Sequence, residues 1–495
     1  MKKISKENKE RIIALFALAG IAFLLLMDSP LHPWIKTAVG VDSGVFKTVA
    51  FMMERGCMPY RDSFDHKGPL LYILNYLGNR ISYYRGIWVI EYAFMVATFY
   101  IMYRTARLRV GIGASVLTLL TAIALLPQYF NGGNLTEEYA MLFIATGLYI
   151  FLDYLQNDRI STLRIAVSGG AMGAVLLLRP NMITLWIVFC TAVLLQKLKE
   201  KAWKELGGFI LWFTAGMLAV LGPVLIWLAV NGALIPCWRD YILFNLNYVS
   251  VEEGTALSAK WHAFFAYFNN TIYILSTISI FYYVKRNLYL NITYIVYMMM
   301  NLLMICMAGT TFGHYGMVLI PAFVYPVSIL FENAQELTDK NTESFLKAML
   351  VICFLSVIIM PDWIRRIESV PDIYEQREIS HDIDYSIIDI VKEYSNPEDK
   401  ISVYGNWDII YVLSQREHAT RYSYQFSIGT AMQENQREYF KQLQEEMPPL
   451  IIVQENHYDD AIREFLHSNA YEQIWAGHED AENAGARVYY HKGAK

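Results

Sequence analysis

The chain has 495 residues, of which 55% are hydrophobic, 15% aromatic and 18% charged, and its mean hydropathy is positive. This composition argues against an ordinary soluble domain and is typical of an integral membrane protein. A formal net charge of −5 indicates no nucleic-acid partner, and the five cysteines lack the spacing of a metal site or a disulfide framework.

In chain order, the first apolar run, IIALFALAGIAFLLLM, follows a basic start and precedes Asp28 and Pro30 without a small-x-small cleavage site. It is therefore expected to remain as the first transmembrane helix and not to be removed as a signal peptide. Spans need about 20 mostly apolar residues. By this measure about eleven helices are predicted. They lie near residues 12–27, 86–103, 110–127, 138–154, 163–178, 182–196, 207–230, 264–284, 289–307, 315–331 and 345–360.

Charge bias gives the predicted orientation. Basic residues follow the second, fourth, sixth and eighth helices, so these connections and the N-terminus are predicted to face the cytoplasm. Two stretches do not fit this orientation. The large first outer loop, 28–85, is rich in basic residues although it is predicted to lie outside, and the connection 332–344 is acidic. Reversing the topology would place the basic connections outside. A reason other than topology is therefore expected for the basic outer loop.

Beyond residue 361 charged residues become dense and no further span is evident. Short apolar strands, ISVYG (401–405) and LIIVQ (450–454), alternate with helical patterns near 436–446 and 459–468. The sequence thus predicts an α-helical membrane domain at 1–361 and an extracytoplasmic α/β domain at 362–495.

The stretch DSFDHKGPLLYILNYLGNRI, residues 62–81, places ionisable groups directly before an apolar run with helical spacing. Gly68-Pro69 suits the first turn of a short amphipathic helix, which is expected to lie in the membrane interface. The N-terminus of this helix, beside His66 and Lys67, could hold a phosphate at the membrane surface. The alternative left open is that these basic residues face lipid headgroups.

Other ionisable residues fall at the outer ends of predicted spans, where charge is costly and commonly marks a site. They are Asp42 in the first outer loop, Glu137 and Glu138 at the start of the fourth helix, Arg179 between the fifth and sixth, and His314 with Tyr315 at the tenth. Each also has a structural explanation, such as a helix cap, a favourable helix-end charge, a snorkelling anchor or an interior histidine. Their occurrence on one predicted side favours a shared site.

Several motifs recur together: an early loop aspartate, YRDSFDHKGPLLY, GGNLTEEYA, FGHYGMVLIPA, and YGN…IYVLSQR…TRYSYQ. In this combination the chain resembles bacterial glycosyltransferases of the GT-C fold, in the branch related to protein O-mannosyltransferases and the lipid A aminoarabinose transferase. The resemblance implies an inverting transfer, at the outer face of the bacterial plasma membrane, from a polyprenyl-phosphate sugar to a wall polymer, glycan, lipid or protein. It implies that Asp42 is the catalytic base and that Glu137 and Glu138 lie near the site, where Glu137 or Glu138 could orient the sugar, help the base or hold a metal. A divalent metal stays open, since oligosaccharyltransferases of this fold use one and the closer relatives do not.

The chemistry of sugar transfer from a phosphate suggests roles for the other candidate residues. A leaving phosphate with a remaining pKa of about 6 needs no general acid, but its growing negative charge needs compensation. Candidates for this role are Lys67 first, then His66, Arg61, Arg179 and His314. One carboxylate suffices as the base of a direct displacement, whereas a double displacement needs a second. Candidate sugar or acceptor contacts are Asp65, Asn134, Tyr315, Arg421 and Tyr422, of which the last two equally suit docking of the outer domain.

Three other functions are compatible with the sequence. A transporter or flippase for lipid-linked sugar would tend to place polar groups near mid-membrane on broken helices in repeated halves, and no repeat is evident here. A polysaccharide polymerase or ligase would use a diphosphate-linked donor. A catalytically inactive scaffold protein is the third.

Overall fold

A computed structural model describes residues 6–27, 29–34, 40–157, 160–251, 257–268, 271–283, 287–307, 311–338, 362–368, 371, 386–425, 432–477 and 485–493. Helices predominate among these residues, and a small sheet lies near the C-terminal end. The predicted eleventh helix, 345–360, lies outside the described residues.

The helices of the first half are α1 (Lys6–Leu26), α2 (Val41–Glu54), α3 (Pro69–Ile81), α4 (Ile87–Ala106), α5 (Ile112–Ala122), α6 (Leu126–Phe130), α7 (Thr136–Asn157), α8 (Thr162–Leu176), α9 (Thr184–Lys199) and α10 (Trp203–Val230). The next are α11 (Leu234–Cys237), α12 (Phe244–Val251), α13 (Leu257–Phe268), α14 (Thr271–Tyr283), α15 (Leu288–Cys306), α16 (Ile320–Thr338) and α17 (362–368). The C-terminal elements are α18 (Ser386–Tyr394), β1 (Lys400–Tyr404), α19 (Ile409–Ser414), β2 (Glu417–His418), α20 (Gln433–Glu446), β3 (Leu450–Gln454), α21 (Asp460–Ser468), β4 (Tyr471–Ala476) and β5 (Ala486–His491). Short 3-10 turns lie at Pro180–Met182, Gly313–Leu319 and Glu455–His457, and a π-helical turn at Trp238–Leu243.

The chain divides into two compact units, and the first comprises residues 1–28, 90–224 and 253–371. Four helical stretches of the described residues are long and apolar enough to cross a membrane: Thr136–Asn157, Trp203–Val230, Leu288–Cys306 and Gly313–Asn333. The pair Leu257–Phe268 and Ile272–Phe281, bent by 79°, would make a fifth span if it crosses as one. The predicted count of about eleven spans and the membrane setting stay predictions.

Small residues let two helices of this unit approach closely. A Cβ placed at Gly169 of α8 would lie 2.0 Å from the carbonyl oxygen of Phe213, and one at Gly216 of α10 would lie 1.9 Å from that of Ala166. Backbone therefore occupies the space that a side chain would need at both positions. Close contact through small residues is how helices gain packing energy where no water is displaced between them.

The second unit comprises residues 29–89, 225–252 and 372–495, and it contains the sheet. The strand order is β2-β1-β3-β5-β4, with β1 parallel to β2 and β3, and β5 antiparallel to β3 and β4. Every residue of β3 is buried, which explains why its first four residues are all apolar. The predicted strands at 401–405 and 450–454 are confirmed as β1 and β3, and the predicted helices near 436–446 and 459–468 as α20 and α21. The predicted domain boundary at residue 361 stays a prediction.

Helices α2 and α3, both in the second unit, carry the segments that matter for the site. Gly40 caps α2, which places Asp42 inside the first turn and contradicts its alternative role as a helix cap. The predicted start of α3 is confirmed, since Gly68 precedes the helix and Pro69 is its first residue. Leu77 of α3 is exposed while Tyr72 is buried, so this helix has an apolar side that faces outward.

Candidate active site

Asp65 is a buried carboxylate of the second unit that is held by three donors. The hydroxyls of Tyr72 and Tyr424 each donate to it at 2.8 Å, and the backbone N–H of His66 donates at 2.7 Å. Burial raises the pKa of Asp65, while the nearby Lys67 ammonium and these hydrogen bonds act in the opposite direction. The sequence predicts Asp65 as a sugar or acceptor contact, and this full set of internal donors favours a role in orienting its neighbours.

His66 and Lys67 extend this cluster toward the surface. The Lys67 ammonium lies 2.8 Å from Nε2 of His66. Because an ammonium can only donate, Nε2 accepts and the imidazole proton lies on Nδ1. That nitrogen is 3.5 Å from Asp65, and the Asn245 amide fixes the same residue by donating to the His66 carbonyl at 2.7 Å. Lys67 is half-buried, and its chain position directly before α3 places its charge beside a helix N-terminus.

Tyr424 joins this cluster to two further aspartates. Its buried hydroxyl donates to Asp65, and the charges of Asp65, Asp408 and Asp42 all act on it. Burial, first, and these carboxylates, second, hold the pKa of Tyr424 well above its usual range. The geometry therefore brings Asp42 and the DHK segment into one neighbourhood of the second unit. Neither Tyr424 nor Asp408 is among the site residues predicted from sequence, although Tyr424 lies in the motif TRYSYQ.

Arg421 and Tyr422 make contacts within the protein. The Arg421 guanidinium pairs with Asp240 and lies 5.5 Å from the ring centre of Phe64, whose backbone N–H donates to the Arg421 carbonyl at 2.7 Å. The Tyr422 hydroxyl donates to Glu438 at 2.5 Å. These contacts favour the docking alternative for both residues, and a substrate role for either stays a prediction.

Arg61 occupies a more open position in the same unit. Its guanidinium pairs with Asp62 at 2.6 Å and donates to the Asn231 carbonyl at 2.8 Å, while the side chain remains largely exposed. A phosphate-binding role for Arg61 stays a prediction.

The first unit contains its own polar cluster around Glu137. This buried carboxylate forms an ion pair with Arg179 and accepts from the Thr136 hydroxyl at 2.8 Å. Arg179 also donates to the Tyr315 hydroxyl at 3.0 Å and lies 4.4 Å from its ring centre. The charge of Glu137 is within electrostatic range of His314. Residues predicted from three separate motifs are thus brought together, and Arg179 is bound in this cluster and is not a simple interface anchor.

Glu138 belongs to a neighbouring network of the same unit. The backbone N–H of Asn134 donates to Oε1 of Glu91 at 2.5 Å and to Oε2 of Glu138 at 2.8 Å, and the Tyr139 hydroxyl donates to the Asn134 side chain at 2.9 Å. Glu91 is not a predicted site residue, although a lone acid within a predicted span is a signal that could have found it. Asn134 has φ +56 and follows Gly133 at φ +85, so the GGN motif forms a left-handed loop over these acids.

Holding a divalent metal is one of the roles predicted for Glu137 or Glu138. Within the described ranges there is no group of three or more His, Cys, Asp or Glu side chains placed to hold a metal ion. Glu137 is neutralised by Arg179, and Glu138 accepts from backbone. Both therefore have protein partners that a metal would have to replace.

Comparison with known proteins adds the family and the fold. Residues 2–348 match the family model described as "Putative competence-induced protein Ccs4 N-terminal domain". The structure of ArnT from Cupriavidus metallidurans bound to undecaprenyl phosphate is similar, with a TM-score of 0.62, 12% sequence identity and coverage of 97% of each chain. The apo structure of the same protein has a TM-score of 0.58, 11% identity and coverage of 98% of each chain. No curated protein matches the sequence. The resemblance to the GT-C fold of the lipid A aminoarabinose transferase is thereby confirmed at the level of the fold.

Proposed function

The chain belongs to the family of the putative competence-induced protein Ccs4 N-terminal domain, and we propose that it is an inverting glycosyltransferase. The donor is a sugar on polyprenyl phosphate, and the acceptor is an extracytoplasmic wall polymer, glycan, lipid or protein. One observation carries the proposal: Asp42 lies within electrostatic range of the Tyr424 hydroxyl, which donates to Asp65 beside the cation Lys67. A base and a phosphate-binding charge are thus available in one neighbourhood.

Asp42 is the base in this proposal because it is the most accessible of the three aspartates near Tyr424. Asp65 and Asp408 are 2% and 1% exposed, whereas Asp42 is only half-buried at the open end of α2. An acceptor hydroxyl attacks the anomeric carbon and passes its proton to Asp42. The bond from that carbon to the phosphate oxygen breaks, and the polyprenyl phosphate leaves with the electron pair. Direct displacement of this kind inverts the anomeric centre.

Lys67 stabilises the departing phosphate in this proposal. Its ammonium donates to His66 and retains further donor capacity, because an ammonium carries three protons. The N-terminal end of α3 adds a partial positive charge next to it. His66 keeps the lysine in place, and Asp65 holds His66 by accepting a hydrogen bond from its backbone N–H. Negative charge that grows on the phosphate during bond breaking is therefore met by groups already in position.

The cluster of the first unit has a proposed role in holding the donor. ArnT was crystallised with undecaprenyl phosphate, and its likeness supports a polyprenyl phosphate as partner here. Arg179 and His314 are proposed phosphate contacts, and Asn134 and Tyr315 proposed sugar contacts. Glu137 orients Arg179 through their ion pair.

The proposed setting is the bacterial plasma membrane, with the N-terminus in the cytoplasm, about eleven spans and the C-terminal residues outside. Single cysteines introduced at the exposed positions Lys199 and Lys441 test this orientation. In intact cells, an impermeant maleimide should label the cysteine at position 441 and leave the one at 199 unlabelled. Labelling at 199 in intact cells would reverse the proposed topology.

The transferase activity is tested with purified protein in lipid nanodiscs and a panel of labelled polyprenyl-phosphate sugars. The Asp42→Asn variant is expected to insert and fold normally and to lose transfer by at least a hundredfold, in the range that general-base removal costs. Asp389→Asn changes an exposed aspartate of α18 and serves as the matched control. Full activity of Asp42→Asn would remove Asp42 from its role. Movement of intact lipid-linked sugar between leaflets without any transfer would favour a flippase.

The donor-binding role of Lys67 is tested separately. Lys67→Ala should raise the donor concentration needed for half-maximal rate, because the cation binds the lipid phosphate. Lys392→Ala, an exposed lysine of α18, is its control. An unchanged rate at limiting donor would contradict this role.

A further inference from the structure

Asp408 is a buried carboxylic acid of the second unit that packs against the helix carrying the proposed base. It precedes α19 and is 1% exposed. The hydroxyl of Thr48 in α2 donates to its backbone carbonyl at 2.9 Å. A Cβ placed at Gly44 would lie 3.9 Å from the Cβ of Asp408. Since Gly44 and Thr48 are four residues apart, they share the helix face that rests on Asp408, within two turns of Asp42.

The groups around the Asp408 carboxyl are negative or neutral. Asp65 adds a repulsive charge, and the hydroxyl of Ser423 faces the carboxyl from the segment that carries Tyr424. The phenols of Tyr424 and Tyr411 face it as well.

The nearest cation on α2, Lys47, is used elsewhere, because its ammonium donates to the carbonyl of Tyr84 and lies 4.8 Å from the centre of that ring. Among the ion pairs of the described residues, none involves Asp408. Burial raises the pKa of Asp408 to about 7, with the Asp65 charge adding to the rise and the Ser423 hydroxyl opposing it.

We propose that Asp408 is a positioning residue for the proposed transfer: as a neutral acid beneath the first turns of α2, it lets Asp42 and Asp65 carry charge around Tyr424 at the same time. Three carboxylates within electrostatic range of one phenol repel one another when all are ionised. Asp408 is the least solvated of them and has no ion-pair partner among the described residues, so it retains its proton. This inference rests on the proposed function, because Asp408 acts only through Asp42 and Asp65.

Ionisation of Asp408 would then work against catalysis. A third charge beneath α2 repels the carboxylates of Asp65 and Asp42 and pushes the first turn of α2 away from Tyr424. Transfer by the unaltered protein is therefore expected to fall at least threefold between pH 6.5 and pH 8.5. Asp408→Asn keeps the shape and stays neutral, so its rate at pH 6.5 should lie within twofold of the unaltered rate and the fall toward pH 8.5 should disappear.

A second measurement needs neither donor nor acceptor. The pKa of Asp408 in the folded chain is above its ordinary value of 3.8, so the folded state holds this proton longer than the unfolded state. Its contribution to stability is full below pH 3.8 and is lost as pH rises toward 7. The melting temperature of Asp408→Asn minus that of the unaltered protein should therefore increase from pH 5 to pH 7 and then level off. Asp389→Asn should show no such trend.

The outcomes separate the two proposals. If the unaltered protein transfers no sugar from any donor of the panel, the proposed function fails and the role of Asp408 falls with it. If transfer occurs but Asp408→Asn keeps the same alkaline fall, only the role of Asp408 is overturned. A loss of transfer of more than tenfold at pH 6.5 in a folded Asp408→Asn protein also overturns it, since the charge itself would then be required.

Discussion

Tyr424 donates a hydrogen bond of 2.8 Å to Asp65 although the two residues are 359 positions apart in the chain. The same hydroxyl lies 3.3 Å from Nδ1 of His66 and within the field of Asp42. A single phenol from the C-terminal segment thus meets residues 65–66, which belong to the segment proposed for chemistry. This donor stabilises the charged form of the Asp65 carboxylate against the burial that raises its pKa.

Tyr424→Phe should therefore weaken the charged form of Asp65. A hydrogen bond to an ionised group contributes about 1.5–3 kcal/mol, so its loss raises the pKa of Asp65 further. The acid limb of the pH–rate profile is expected to move to higher pH by about one unit or more, with transfer recovering as pH rises. Tyr394→Phe, at an exposed tyrosine of α18, is the control. An unshifted acid limb would contradict the coupling of Tyr424 to Asp65.

The ion pair of Arg421 with Asp240 should be essential for the stability of the second unit. Both side chains are nearly buried, at 9% and 3% exposed, and breaking a buried pair by removing one partner costs about 3–5 kcal/mol. Arg421→Met and Asp240→Asn are each expected to lower the melting temperature strongly, and their combination by less than the sum. Arg463→Met disrupts an exposed pair with Asp460 and should cost under about 1 kcal/mol. Additive effects at the buried pair would show that the two side chains are not coupled.

The parts of the fold that sequence could predict are those whose signal is local. Strand β3 begins with four consecutive apolar residues because it is buried, β1 is recognisable from its β-branched and aromatic residues, and α3 is marked by Gly68-Pro69. Strand β4, YEQIWA, is not predicted because it lies at the sheet edge and most of its residues are exposed or half-buried. The helix α2 is not predicted either, since its residues are buried all round and give no amphipathic pattern.

The candidate site likewise divides into residues with a local sequence signal and residues that only tertiary packing brings together. Asp65, His66 and Lys67 are adjacent in one motif, and the pairing of Glu137 with Arg179 follows from charges at predicted helix ends. Asp408 and Tyr424 reach Asp65 only through the packing of distant segments, which no local pattern specifies.

The stability of the protein should fall in mild acid because of His418. This histidine is buried with Nε2 at 2.9 Å from the Ser63 hydroxyl, and burial lowers its pKa to about 4. An unfolded histidine titrates near 6.5, so between pH 6.5 and pH 4 only the unfolded state gains the proton. Stability is full above pH 6.5 and declines toward pH 4 by up to about 3 kcal/mol.

Melting temperatures of His418→Gln and the unaltered protein, measured from pH 7.5 to pH 4.5, test this contribution. The advantage of the unaltered protein should shrink as pH falls, because the glutamine has no proton to gain. His467→Gln, at an exposed histidine of α21, should run parallel to the unaltered protein at every pH. A constant difference between His418→Gln and the unaltered protein would show that His418 does not titrate in this window.

Gly133→Ala should disturb the loop that holds the buried acids of the first unit. Gly133 has φ +85, and a Cβ there would lie 2.5 Å from Oε1 of Glu91. The left-handed backbone and the clash together should cost roughly 1–3 kcal/mol. The Asn134 amide would shift away from Glu91 and Glu138, so sugar transfer should fall as well if these acids support the donor.

The control variant is Gly207→Ala, in α10, where a Cβ meets nothing within 4 Å. It should instead gain about 0.5–1 kcal/mol in free energy of unfolding. Thermal unfolding of both variants and of the unaltered protein in the same nanodiscs measures these effects. A melting temperature of Gly133→Ala equal to that of the unaltered protein would show that the loop tolerates a side chain at position 133.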